Sequence, residues 1–245
     1  MNRTTIWTLI LCLVLASATG AAPTAGEKCQ AAKLDALRKR TFCIEGERRK
    51  EVLGKTPDTA KCDDKFDTAI MMADVAAAKK GASCRWLDNG DGTATDLNYG
   101  LQWEIKTDDS SVHDKDNVYT WNTTAGGTTP NGTAFTAFLG TLNGGVSADE
   151  STMTGCFAGH CDWRLPTIGE LRSMLDAQNP NCTMSPCTTI PGFTRSGASD
   201  YYLSSSTLSP PGLPNFAWNV FFTDGYVRID TKDAGGYARA VRVGS

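Results

Sequence analysis

Apolar and polar positions change their period twice along the chain. After Arg3 comes an apolar run from Ile6 to Ala16 and then small residues to Ala22. Residues 28–53 are rich in Ala, Leu, Lys, Arg and Glu, with Leu34 and Leu37 apolar, and residues 59–80 carry Phe66, Ile70, Met71 and Val75. Such spacing predicts two helices. Gly54-Lys55-Thr56-Pro57 breaks them, with Thr56 as N-cap and Pro57 at the first helical position. From Arg85 the period becomes that of a sheet. Trp86-Leu87-Asp88 and Thr93-Ala94-Thr95-Asp96 flank an Asn-Gly/Asp-Gly turn, and Asn98-Tyr99-Gly100 turns again into Leu101-Gln102-Trp103-Glu104, a three-strand meander. Residues 107–134 are polar and rich in Gly, Thr and Asn, interrupted by Val118-Tyr119-Thr120-Trp121, and 134–142 reads as a short helix. Thr167 and Glu170 stand as Thr-x-x-Glu, a capping box that starts another helix. A long loop, 177–214, follows. Residues 216–222, the Asp224-Gly225 turn, 226–230 and 237–243 then complete an antiparallel sheet. The fold class is α+β: a helical hairpin at 27–83 and a sheet domain at 84–245.

The apolar run is too short for a membrane span, which needs about 20 apolar residues. With its small-residue end it reads as a signal peptide at 1–22. Leu11 stands where a lipobox wants a small residue, so Cys12 leaves with the signal. Of nine cysteines this leaves eight, Cys29, Cys43, Cys62, Cys84, Cys156, Cys161, Cys182 and Cys187. An even number in an exported chain reads as disulfides. Zinc is the rival, but no spacing is Cys-x2-Cys and His160 is the only histidine near any of them. Antiparallel helices would join Cys43 to Cys62 beside the turn and Cys29 to Cys84 at the open end. The spacings of 14 and 22 residues differ, so the second bridge requires the chain after Gly81 to fold back. Cys156–Cys161 and Cys182–Cys187 are expected as local loops.

Charge divides where the period does. Residues 27–85 hold 14 Lys or Arg against 10 Asp or Glu, and from Trp86 onward there are 9 against 17. Each excess is the solvated surface of its part. The acidic part argues against nucleic acid, whose phosphates need a basic face. Asp88-Asn89-Gly90-Asp91-Gly92-Thr93 is calcium-like in composition but lacks the alternate oxygen ligands and closing glutamate of an EF-hand, and reads as turn chemistry. Met71-Met72 reads as core. The sequons at Asn122, Asn131 and Asn181 matter only in a host that glycosylates them.

Six segments in order, Asp88-Asn89-Gly90-Asp91-Gly92-Thr93, Gly100-Leu101-Gln102-Trp103-Glu104, Asp162-Trp163-Arg164-Leu165-Pro166-Thr167 with Glu170-Leu171, Tyr202-Leu203-Ser204-Ser205-Ser206, Val220-Phe221-Phe222-Thr223-Asp224-Gly225 and Tyr237-Ala238-Arg239-Ala240-Val241-Arg242, resemble the Lcl C-terminal domain family. The resemblance covers roughly residues 84–243. The family is named for the collagen-like adhesin of Legionella and more distantly resembles the C-type-lectin-like fold, which also houses formylglycine-generating enzymes. It implies lectin-like antiparallel sheets with a capped helix, on a secreted, periplasmic or cell-surface module that binds host or matrix polysaccharide. Two departures stand out: Leu203 where members usually carry Trp, and a cysteine-stapled hairpin in place of a collagen-like stalk. Within the matched segments Trp103, Trp163, Arg164, Thr167, Glu170 and Arg239 are assigned structural roles, Arg164 and Arg239 as ion-pair anchors.

We expect a non-catalytic module without cofactor. His160 beside Cys161 would suit a Cys/His hydrolase only with a free thiol, and Cys156 is the obvious partner for Cys161. His113 lies in an acidic loop. A formylglycine-type copper oxidase needs paired cysteines near the end of the fold, and none follows Cys187. Asp162, Asp176, Asp200, Asp224 and Asp230 are available for glycoside hydrolysis, yet no local motif selects two. Trp121-Asn122-Thr123 and Trp218-Asn219-Val220 lack the acid of calcium-dependent lectins, and the scattered arginines do not suit a sulphated glycan. Alternation puts Phe216, Trp218, Val220 and Phe222 on a core side with Val227 and Ile229, leaving Asn219, Asp224, Tyr226, Arg228 and Asp230 outward as the candidate ligand-binding set. Two functions fit: adhesion to carbohydrate or extracellular matrix, and a protein-interaction or assembly subunit of the cell envelope with the hairpin as docking part. Either admits an oligomer.

Overall fold

The computed structural model describes residues 22–145, 155–175, 201–208 and 213–244. The chain divides into two compact units, the first ending at Cys84 and the second beginning at Arg85. The expected signal peptide to residue 21, the expected Cys182–Cys187 bridge, Asp176, Asp200 and the Asn181 sequon lie outside the described residues.

In the first unit α1 (Ala25–Val52) begins with a capping box: the Thr24 hydroxyl accepts the Glu27 N–H at 3.2 Å and the Glu27 carboxylate accepts the Thr24 N–H at 2.7 Å. Helix α2 (Ala60–Ala78) starts after Thr59, not at Thr56-Pro57. The Glu47 carboxylate accepts the Asp58 N–H at 3.0 Å and pairs with Lys50 and Lys61, which holds the connection non-helical past Pro57. Cys43 bonds Cys62 and Cys29 bonds Cys84. Gly81, at φ +67°, supplies the reversal that the second bridge requires. The apolar contact is thin. Ala36, Phe66 and Ile70 form one cluster, and Cys29, Ala73, Ala77 and Cys84 another. Met71 and Met72 are not core: at 58% and 63% exposed they stand on the outside of α2, because the stripe Phe66, Ile70, Ala73, Ala77 already takes the buried side at helical spacing.

The second unit contains two sheets. Strands β1 (Trp86–Asp88), β2 (Thr93–Asp96), β3 (Leu101–Glu104) and β9 (Val241–Val243) form an antiparallel sheet in that order. The other sheet has the order β4-β8-β5-β6-β7, built from β4 (Val118–Thr120), β5 (Tyr201–Thr207), β6 (Phe216–Phe221), β7 (Val227–Thr231) and β8 (Gly235–Tyr237), with β5 and β8 parallel. Two expectations change. The stretch assigned to a long loop contains β5, the middle strand of the five, and 237–243 is not one strand but crosses from β8 in one sheet to β9 in the other.

Short helical pieces close the unit: a π-helical turn (Ala134–Leu139) running into α3 (Gly140–Leu142), and α4 (Ile168–Ser173), which begins at the Thr167 capping box. Both faces of the five-stranded sheet are covered. Tyr119, Trp121, Phe138, Trp163 and Leu203 share one core; Trp103, Leu171, Met174, Tyr202, Val220 and Phe222 share another. Leu203, at the position where the resemblance led us to expect Trp, is a buried core residue.

Candidate functional site

The residues assigned structural roles are bound into the scaffold. The Arg164 guanidinium grips Glu170 through two nitrogens at 2.8 and 2.6 Å, while Glu170 also caps α4. Burial would raise the Glu170 carboxyl, but Arg164 and the Thr167 N–H outweigh it and hold it low. Trp163 is buried and donates its ring N–H to the Phe157 carbonyl at 3.0 Å, and its main chain exchanges both hydrogen bonds with the Asn143 side chain. Ser204, Ser205 and Ser206 tie β5 to its surroundings: Ser204 Oγ donates to the Trp218 carbonyl at 2.5 Å, the Ser205 N–H donates to the Pro166 carbonyl, and Ser206 Oγ accepts the Ile168 N–H. Arg239 is fully buried and donates to the Glu104 carbonyl at 2.7 Å. Trp103 is buried in the second core.

A charged cluster that pattern reading missed lies on β3. Glu104 is fully buried; its carboxylate accepts from Lys106 at 3.0 Å, from the Ala240 N–H at 3.0 Å, and lies 2.8 Å from His113 Nδ1. Burial would raise this carboxyl, but Lys106, His113 and Arg239 together hold it below the ordinary range. Lys106 is itself buried, 4.4 Å from the Phe138 ring centre, and burial lowers it. Lys106 stands two residues past the end of the strand, in a run that reads simply as Glu-Ile-Lys, so nothing local marks it as buried.

Of the five candidate ligand residues, alternation and register place Asn219, Arg228 and Asp230 on one side of β6–β7: Asn219 pairs with Arg228, and Ala217 with Asp230. They do not share one environment. Asn219 is a correction: its side, shared with Ala217 and with its β5 partner Leu203, is the first core rather than solvent, and it is 2% exposed. Ile229, expected to point in, is 40% exposed. The outward group is at the hairpin tip. Tyr226 is 64% exposed; Arg228 Nη2 lies 3.0 Å from Asp224 Oδ2, and Asp224 Oδ1 accepts the Tyr226 N–H at 3.0 Å. The Arg228 guanidinium lies 4.4 Å from the Phe221 ring centre and 5.8 Å from that of Tyr226. Phe221 was not among the candidates, because it reads as one more apolar residue of a strand. It is half-buried, stacks on Tyr201 at 5.2 Å and gives the guanidinium a floor. Burial first and Asp230 second push the Tyr201 hydroxyl up to about 12.

The carboxylates of the calcium-like turn and the sulfur of Cys161 are engaged. Asp88 and Asp91 accept the N–H groups of Gly90 and Thr93 inside the turn. Cys161 is bonded to Cys156 and carries no thiol. Among the described residues two groupings have ligand atoms within 4.8 Å of one another. In Cys29, Asp74 and Cys84 the cysteines form a disulfide; in Asp108, Asp114 and Asp116 the outer two pair with Lys115, and Asp114 accepts N–H groups from Asp109, Ser110 and Asp116.

The Lcl C-terminal domain model matches residues 92–242, more than half of the chain, and the chain belongs to that family. A search of curated proteins finds no match.

Proposed function

We propose that this member of the Lcl C-terminal domain family is an exported, non-catalytic binding module that adheres to carbohydrate or extracellular matrix through the tip of the β6–β7 hairpin. One observation carries the reading. Tyr226, Arg228 and Asp224 form an exposed aromatic and charged group, ordered by the Phe221 ring and the turn N–H, on a hairpin that gives Ala217 and Phe221 to one core and Val220, Phe222 and Val227 to the other. Rigid aromatic surface with directed donors and acceptors suits a sugar or an extended chain. Export is supported by the disulfides, which persist in oxidising compartments, and no helix of the described residues is long and apolar enough to cross a membrane.

The second reading, an envelope assembly subunit docking through the hairpin, draws on the exposed Met71 and Met72 of α2. A soluble glycan array separates the two. Changing Tyr226 and Arg228 together to Ala is expected to abolish binding while stability stays within about ±0.5 kcal/mol, as surface changes usually do. Binding that survives this double change but disappears on deleting residues 28–80 would favour assembly.

A further inference from the structure

We infer that the β6–β7 tip takes a neutral sugar, through two adjacent hydroxyls and a ring face, rather than a sulphated or carboxylated glycan; this rests on the glycan reading of the same patch. Among the described residues Arg228 is the patch's cation, and it is already paired with Asp224 at 3.0 Å. Asp230 stands two residues along the same strand. The next cation, Lys232, is buried and donates to the Pro214 carbonyl at 2.8 Å with its ammonium 4.0 Å from the Trp121 ring centre, turned away from solvent. A sulphate would therefore compete with Asp224 for one guanidinium and meet a second carboxylate nearby. Anion recognition needs the reverse, several arginines converging on one group.

A diol fits what is present. Each sugar hydroxyl both donates and accepts, so one can donate to the Asp224 carboxylate while its neighbour accepts from the Arg228 guanidinium, whose five N–H donors are only partly used by Asp224. The ion pair is then kept, not broken. The exposed Tyr226 ring offers a flat apolar surface for the C–H face of a pyranose, with its hydroxyl at the rim.

The test is an array of neutral oligosaccharides beside their sulphated and uronic-acid counterparts, probed with the oxidised full chain and with Asp224→Asn, which retains an acceptor for the Tyr226 N–H. The full chain is expected to retain neutral probes, with less than about a twofold change as ionic strength rises and the Debye length shortens from about 30 to 8 Å. Asp224→Asn is expected to weaken neutral probes at least about tenfold, the loss of one charge-assisted hydrogen bond, and to gain affinity for sulphated ones. Preference of the unchanged chain for sulphated probes, released by salt and lost in Arg228→Ala, would overturn the neutral-sugar inference and leave the glycan reading standing. Retention of no glycan of either class, or of a matrix protein alone, would overturn both.

Discussion

The helical hairpin joins its elements with two disulfides and ion pairs around clusters made largely of alanine and cysteine, whereas the sheet domain packs aromatic side chains on both faces of a five-stranded sheet and, among the described residues, carries one disulfide, within a five-residue separation. Small helical units bury too little apolar surface to offset chain entropy and need covalent help. A sheet covered on two faces does not. The two regions should therefore fail under different insults, and the binding group should belong to the one that does not depend on its bridges.

Reduction gives the largest contrast. The hairpin bridges span 55 and 19 residues, and on the chain-entropy account each contributes about 3 to 4 kcal/mol. Replacing Cys29 and Cys43 with Ser is expected to unfold α1 and α2 while the sheet domain stays folded. Apart from Trp7, every tryptophan lies beyond Cys84, so tryptophan fluorescence follows the sheet domain and far-ultraviolet circular dichroism the helices. Simultaneous loss of both signals would show that the units are not separately stabilised.

Within the sheet domain, Trp163→Ala is expected to cost about 3 to 5 kcal/mol by leaving a cavity in the first core. Glu104→Gln should cost a similar 3 to 5 kcal/mol, roughly, because Lys106 loses its buried partner. Thermal and denaturant melting measure both, and a cost under about 1 kcal/mol in either would contradict the packing described.

Acid sharpens the comparison further. Hydrogen bonds from Lys50 and Lys61 and the Asp58 N–H pull Glu47 down to about 2, and the groups facing Glu104 also hold it low. A carboxyl whose folded value is depressed stabilises the fold above its unfolded value and loses that contribution as pH falls through the folded one. Helix ellipticity should therefore weaken between the ordinary glutamate value of 4.5 and about 2, and tryptophan emission should report loss of sheet-domain stability on the same side of neutrality. Stability that rises as pH falls through this window would break the assignment.

Much of this architecture is legible in local pattern, and the departures have physical causes. The Thr167 box, the Asn-Gly/Asp-Gly meander and the two helices are set by neighbours a few residues apart, so the chain announces them. Strand β5 does not: Tyr201, Tyr202, Leu203 and Ser204 are all buried, so a strand covered on both faces shows no alternation, and its serines resemble a loop. Asn219 differs from its expected outward place for the same reason: the side opposite one core faces another core rather than solvent. The crossing between β8 and β9 depends on partners far away, Tyr202 for Tyr237 and Trp103 for Val241. At the candidate site the Asp224-Gly225 turn and the outward Tyr226 and Arg228 were legible; the Phe221 floor and the ion pair that sets the patch's charge became visible only in three dimensions.

On the proposed function the sheet domain binds and the helical hairpin does not. Amide hydrogen exchange of the oxidised full chain, with and without a saturating neutral oligosaccharide, tests it most directly. Added protection is expected in peptides spanning Phe216–Phe221 and Val227–Thr231 and none in Ala25–Val52 or Ala60–Ala78. Protection confined to the two helices would contradict it.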